Sequence, residues 1–218
     1  EPLRALATSV INSLDEETRF LITSLAVVPE FTHEQAEVIL GERYSYDAIN
    51  QIALDGNYFS QTGSPEQTFE FSRLLREVLL TELRKDKERK IDIHSRLLEF
   101  HENRNEPNLA LEHAYLAGNL EKVASIFPDA ARILQATGRG NELIRWSVFA
   151  GDNSELGLLK RSTVEIAGRL ALQEYETVTS MIAQMNFDAQ GTVLEGFIKQ
   201  LTYGSKAYID VALGRFDQ

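Results

Sequence analysis

The chain contains no cysteine. That removes disulfides, thiolate metal ligands and thiol nucleophiles together, and it fits a cytoplasmic protein. No apolar run approaches the roughly 18 residues that a membrane-spanning helix needs. The longest candidate, Phe20 to Val28, is short and holds Thr23 and Ser24. The opening Glu1-Pro2 is not followed by the basic-then-apolar pattern of a secretory signal. An initiator Met is also missing, which points to a fragment of a longer protein. Positive charge is scarce: 22 Lys and Arg stand against 33 Asp and Glu, a formal net charge of −11. Affinity for a phosphate backbone comes from counterion release by Lys and Arg, so direct nucleic-acid binding is disfavoured. Neither a Gly-x-x-x-x-Gly-Lys-[Ser/Thr] phosphate loop nor a nucleophile elbow occurs. His33-Glu34 lacks the second His of a zinc protease motif. The chain reads as a soluble protein without a catalytic site, a metal or a cofactor of its own.

What is present is helical punctuation. The 218 residues suffice for one large domain or two small ones with real cores. Leu3 to Leu14 is apolar at Leu3, Leu6, Val10 and Ile11. Asp15 reads as the N-cap of a helix running to Val28, with Pro29 at its end. Thr32 and Gln35 form a capping-box pattern ahead of Ala36, Ile39 and Leu40, and Gly41 stops that helix. Tyr46 to Leu54 is the fourth helix. The period then changes from helical to alternating. Asn57 to Gln61 and Thr68 to Ser72 alternate aromatic and polar residues around the turn-rich Thr62 to Glu66, which predicts a β-hairpin with Phe69 and Phe71 on one face. Helices followed by a hairpin are the winged-helix pattern.

After Ser72 the chain reads as helical: 73–85, 88–103, 108–117, 120–127, 129–136 (opened by Pro128), 141–150, 156–172, 174–185 and a last helix from about Thr192 to Leu213. Three segments, Ala114 to Val123, Ala167 to Val178 and Ala207 to Gln218, share small residues near a helix end, a tight turn, and an apolar or aromatic residue opening the next helix. Small residues let two helices approach, and the turn reverses the chain, so the theme is that of a helical-hairpin repeat. The expected architecture is mainly α: a winged-helix domain with a small β-hairpin over residues 1–85, then an α-solenoid of tetratricopeptide-like hairpins over 86–218.

The stretch from Leu14-Asp-Glu-Glu-Thr-Arg-Phe-Leu to Leu54-Asp-Gly-Asn-Tyr-Phe is similar to the winged-helix domain of MalT-like regulators, which belong to the STAND class of signal-transduction ATPases. Ser72-Arg-Leu-Leu-Arg-Glu-Val-Leu, Ile93-His-Ser-Arg-Leu-Leu-Glu-Phe and Pro107-Asn-Leu-Ala-Leu-Glu-His-Ala-Tyr-Leu-Ala-Gly-Asn resemble the region just after the ATPase core. The tail Ala207 to Gln218 looks like a tetratricopeptide junction. The resemblance implies a winged helix that packs on a nucleotide-binding domain upstream in the same chain, with ATP or ADP bound in the parent protein and an effector, protein or small molecule, received by the repeats. A family His that helps sense nucleotide falls at Ser72 here, so the fragment is expected to bind no cofactor, with Ser72 and Arg73 as candidates near the nucleotide site of the other domain.

For single residues a bland reading stands beside the sharp one. Trp146 shares a helix with Leu143, Ile144 and Phe149 and reads as core, with a repeat-groove contact, together with Arg145 and Tyr175, as the alternative. Tyr175, Tyr203, Tyr208 and Phe216 read as interhelix packing. The four histidines read as surface or edge-of-core residues. The run Leu83 to Lys90 reads as a solvated junction, with a phosphate contact from Arg73, Arg76 or the run itself as the alternative. Two rival functions stay open: a constitutive scaffold binding a partner protein, and a DNA-binding winged helix.

Overall fold

Local signals set the first helices in a computed structural model that describes residues 2–55, 58–62, 68–151, 154–188 and 195–215. They are α1 (Pro2–Asn12), α2 (Glu16–Leu25), α3 (His33–Leu40) and α4 (Tyr46–Leu54). The Asp15 carboxylate accepts the Thr18 N–H at 2.8 Å and starts α2. Thr32 and Gln35 exchange side-chain and backbone bonds at 3.3 and 3.1 Å, a complete capping box for α3. Gly41 ends α3 at φ 58°, where a Cβ would be strained.

The hairpin forms as β2 (Phe59–Gln61) and β3 (Phe69–Phe71), antiparallel, with Phe59 opposite Phe71. A third strand joins them that the alternation did not reveal. It is β1 (Glu30–Phe31), paired antiparallel with β3 in the order β1-β3-β2. Two residues are too few to show a period of two. Phe31, Phe59, Phe69 and Phe71 are buried and meet at ring-centroid distances of 5.2 to 5.8 Å. Aromatic pairs at such separations add to the plain burial of their area. Asn57, the turn residues 63–67, the start of the last helix near Thr192, and Phe216 lie outside the described residues.

The first compact unit is Glu1–Leu120 and the second Glu121–Gln218. The first unit therefore runs past the boundary expected at residue 85. Behind α5 (Arg73–Leu83) come α6 (Lys87–Asn103) and α7 (Pro107–Leu116). Helix α6 packs on α3, and its Ile93 and Leu97 join one core with Ile22, Leu25, Phe31, Ile49, Phe69 and Leu79. Arg96 donates to the Val38 carbonyl at 3.0 Å across the same contact.

Further helices are α8 (Leu120–Ala136), α9 (Gly140–Trp146), α10 (Glu155–Ala171), α11 (Tyr175–Asp188) and α12 (Glu195–Ala212). Pro128 does not open a helix. It lies inside α8, whose buried residues Val123, Ile126, Phe127, Ala130 and Leu134 span the proline as one apolar face. Proline forfeits one backbone bond, but its φ suits a helix, and shared burial holds the two halves together. The expected helix 141–150 stops at Trp146 and continues as a 3-10 turn, Ser147–Phe149.

In the second unit α9 packs on α10, α10 on α11, and α11 on α12. One turn geometry recurs along the helical part. Asn105, Gly118, Gly138, Gln173 and Gly214 all have φ between 57° and 75°. After each, the next N–H returns to the carbonyl five residues back: Glu106 to His101, Asn119 to Ala114, Arg139 to Leu134, Glu174 to Arg169 and Arg215 to Asp210. This is the Schellman closure, and it is the physical content of the shared sequence theme. Winged helix followed by helical hairpins is the architecture expected from the sequence.

Candidate functional site

The first unit carries a groove of about 1080 Å³ bordered by β1, the starts of α3 and α4, the end of α6, and α7. Arg76 forms its inner wall. Its guanidinium donates to the carbonyls of Ala26, Val28 and Val27 at 2.9, 3.2 and 3.0 Å, collecting the carbonyls that α2 leaves open at its C-terminus. Those donors are therefore committed to backbone, against the phosphate-contact alternative for this residue. Burial pulls the Arg76 guanidinium below its usual range, and Glu112 opposes that.

His33 opens α3 at the groove edge. Its ring stacks on Tyr46 with centroids 4.2 Å apart, and its Nδ1 lies 3.1 Å from the Tyr44 hydroxyl. Burial lowers the His33 pKa. Arg104 spans the rim, donating to Glu34 at 2.9 Å and reaching Glu106 at 3.4 Å. Glu106 also accepts from His101 Nδ1 at 2.7 Å. These bonds hold the Glu106 carboxyl below the usual range, the His101 bond most strongly.

Behind the rim, three histidines are buried, contrary to the surface or edge-of-core expectation. His94, His101 and His113 are 3, 2 and 7% exposed. His94 Nδ1 and His113 Nδ1 are 3.0 Å apart, and the His101 and His113 rings lie parallel at 5.2 Å. The spacing of His94 and His101 did put both on one face of α6. The sequence held no sign that His113, on the next helix, would complete a polar pair and relieve the burial. Among the described residues, no group of His, Cys, Asp and Glu is arranged to hold a metal ion.

The helix that precedes the wing, α4, has a composition with its own meaning. From Tyr44 to Ser72, through α4, both hairpin strands and their turn, there is no Lys or Arg, while Asp47, Asp55, Glu66 and Glu70 are present. The local absence of cations is plain in the sequence once α4 is known to be the helix that leads into the hairpin.

The second unit holds a groove of about 680 Å³ between α10, α12 and the end of α8. Its lining, including Gln135, Thr163, Ala167, Gln200, Ser205 and Tyr208, contains no charged residue. Tyr203 and Tyr208, expected in interhelix packing, are instead 72 and 52% exposed on α12.

The remaining candidates separate. Ser72 is the N-cap residue of α5, exposed, with no side-chain capping bond. Arg73 follows it, 95% exposed and 3.4 Å from Glu77. Trp146 is 4% exposed and packs in the core beside Phe149, with the exposed Arg145 guanidinium 4.9 Å over its ring. Tyr175 is half-buried against Ile166, Val178, Ile182 and Ile209. The run Arg84 to Glu88 is exposed, Lys85 pairs with Glu82, and Arg89 pairs with Asp86 and lies over Phe20. Ser72 and Arg73 belong to the first unit, and Trp146, Arg145 and Tyr175 to the second.

Among the described residues, no helix is long and apolar enough to cross a membrane. No curated protein and no solved structure matches the chain. Residues 7–91, less than half of the chain, match the family model of the MalT winged helix domain, in agreement with the helices and three-stranded sheet found there.

Proposed function

We propose that the chain is a regulatory and interaction fragment of a MalT-like, STAND-class transcriptional regulator of the cytoplasm. Its winged helix packs on an ATPase domain elsewhere in the parent protein, and its helical hairpins receive a protein or small-molecule effector. The nucleotide, ATP or ADP, belongs to that other domain, with Ser72 and Arg73 as the nearest residues of this chain. The fragment performs no chemistry itself.

The observation that carries this reading is the absence of Lys and Arg from the sequence between Tyr44 and Ser72. A helix-turn-helix protein that reads DNA lays its recognition helix in the major groove and needs Lys and Arg against phosphates. Here α4 and the hairpin offer only acids and neutral groups, which suits contact with protein. The net charge of −11 acts the same way. The uncharged groove of the second unit supports an effector seat there, and equally a partner-binding scaffold without a nucleotide switch.

The switch and the scaffold differ in what precedes Glu1. A phosphate-binding loop in the upstream sequence, and binding of this fragment to the domain that carries it, is the expected result. An upstream sequence without that loop favours the scaffold. Tight, sequence-specific mobility shifts of DNA by this fragment at physiological salt would overturn both.

A further inference from the structure

Helices α6 and α7 form a hairpin closed at Asn105, and beside the buried Leu97, Leu98, Ala110 and Leu111 the two helices carry buried histidines. His94 lies on α6 and His113 on α7, and their Nδ1 atoms meet at 3.0 Å. Two ring nitrogens at that distance share one hydrogen: one imidazole donates, and the other must be neutral to accept. The bond is the only one either side chain makes among the described residues.

We propose that the His94–His113 pair is an acid-released latch that holds α7 on α6. Adding a proton to the acceptor turns the bond into two N–H groups facing each other, with one positive charge or two buried in the seam. The surroundings do not neutralise that charge. His101 stacks on His113 from α6, and Lys90 is the cation nearest His94. Glu106, at the start of α7, is already shared by His101 and Arg104, and Glu34 of α3 is taken by Arg104. Arg76 of α5 adds a cation and His33 of α3 a further imidazole along the groove, while Glu30 and Glu112 lie on its exposed rim. Burial already favours neutral rings, holding His94 down to about 4 and His113 down to about 3. Protons therefore enter when the hairpin opens, and acid selects the open hairpin.

The polar chain runs outward from this pair through His101, Glu106 and Arg104 to Glu34 on α3. Opening would thus loosen the wall of the first groove while the phenylalanine core of the winged helix stays closed.

Amide hydrogen exchange on the whole 218-residue chain, corrected for the intrinsic pH dependence of exchange, tests the latch. Between about pH 7 and about pH 5, protection of α7 amides is expected to fall roughly tenfold to a hundredfold and to stay below that of the α3 and α5 core amides throughout. A double variant, His94→Gln with His113→Gln, keeps a donor and an acceptor but cannot titrate, and its α7 protection is expected to stay flat. Unchanged α7 protection in the wild-type chain, α7 protection equal to that of α3 and α5 at every pH, or an equal fall in the double variant each overturns the proposal. Should that variant not fold, the ring Cε1–H signals of the wild-type chain decide. Titration of His94 and His113 in step with the loss of α7 protection supports the latch. Titration with α7 still protected overturns it.

Discussion

Gly140 and Gly168 meet backbone to backbone where α9 crosses α10. A Cβ on Gly168 would lie 2.9 Å from the Gly140 carbonyl oxygen and 2.8 Å from Ile144 Cγ1, and a Cβ on Gly140 would collide with the Gly168 carbonyl. The crossing has no room for a methyl group. Gly168→Ala should destabilise the second unit by about 1–3 kcal/mol, despite the better helix propensity of alanine. Gly204→Ala on α12, with nothing within 4 Å of its added carbon, should instead stabilise by about 0.5–1 kcal/mol. Urea denaturation of the two variants compares them directly. Equal effects of one sign would refute the close approach.

Arg76 is the staple between α5 and the end of α2. Arg76→Met keeps most of the stem and removes three bonds to carbonyls that stay part-buried. A loss of about 2–4 kcal/mol is expected, measured by thermal unfolding followed by circular dichroism. Arg73→Met, one turn earlier on the exposed side, should change the melting temperature little, because a solvated Arg–Glu pair contributes little.

Stability of the first unit should fall as pH falls from about 6.5 toward about 4. His94 and His113 sit below the ordinary histidine value of 6.5 in the folded chain. The unfolded chain therefore binds more protons across that window, and stability rises with pH. The histidine contribution is complete above the unfolded value and is lost as acid charges the unfolded chain. The slope is about 1.4 kcal/mol per pH unit for each imidazole at most. The lowered carboxyls of Glu106 and Asp15 act in the same direction at lower pH. Urea midpoints that stay level between neutral pH and about pH 5 would contradict this.

Trp146 is the only tryptophan, and its burial makes its fluorescence a reporter of the second unit alone. Its emission should shift to the red in the transition that unfolds α9 to α12. Trp146→Ala should lower stability by about 3–5 kcal/mol, read by circular dichroism, because it empties a core site. A binding residue on an open groove would show little such loss.

Much of the fold was legible in order along the chain. Asp15, Thr32 and Gln35 act within one turn of helix, so their caps formed as their identities foretold. Phe69 and Phe71 alternate with Glu70, so a strand with one buried face followed from neighbours alone. The small residues near Gly118, Gln173 and Gly214 announced reversals because a left-handed residue and a short return bond need only local chain. The turn at Gln173 shows that position, more than glycine itself, sets the closure.

Other features needed distant chain. Strand β1 exists because β3, nearly forty residues later, supplies its partners. Pro128 could continue a helix only once its neighbours shared a buried face. His94 found His113 across the α6/α7 turn, and Arg76 found the end of α2 some fifty residues back. The sequence by itself determined the punctuation and the class of fold, since caps, turns and periodicity are interactions over a few residues. Tertiary structure alone decided which polar side chains are buried and what satisfies them, because desolvation depends on what covers a residue.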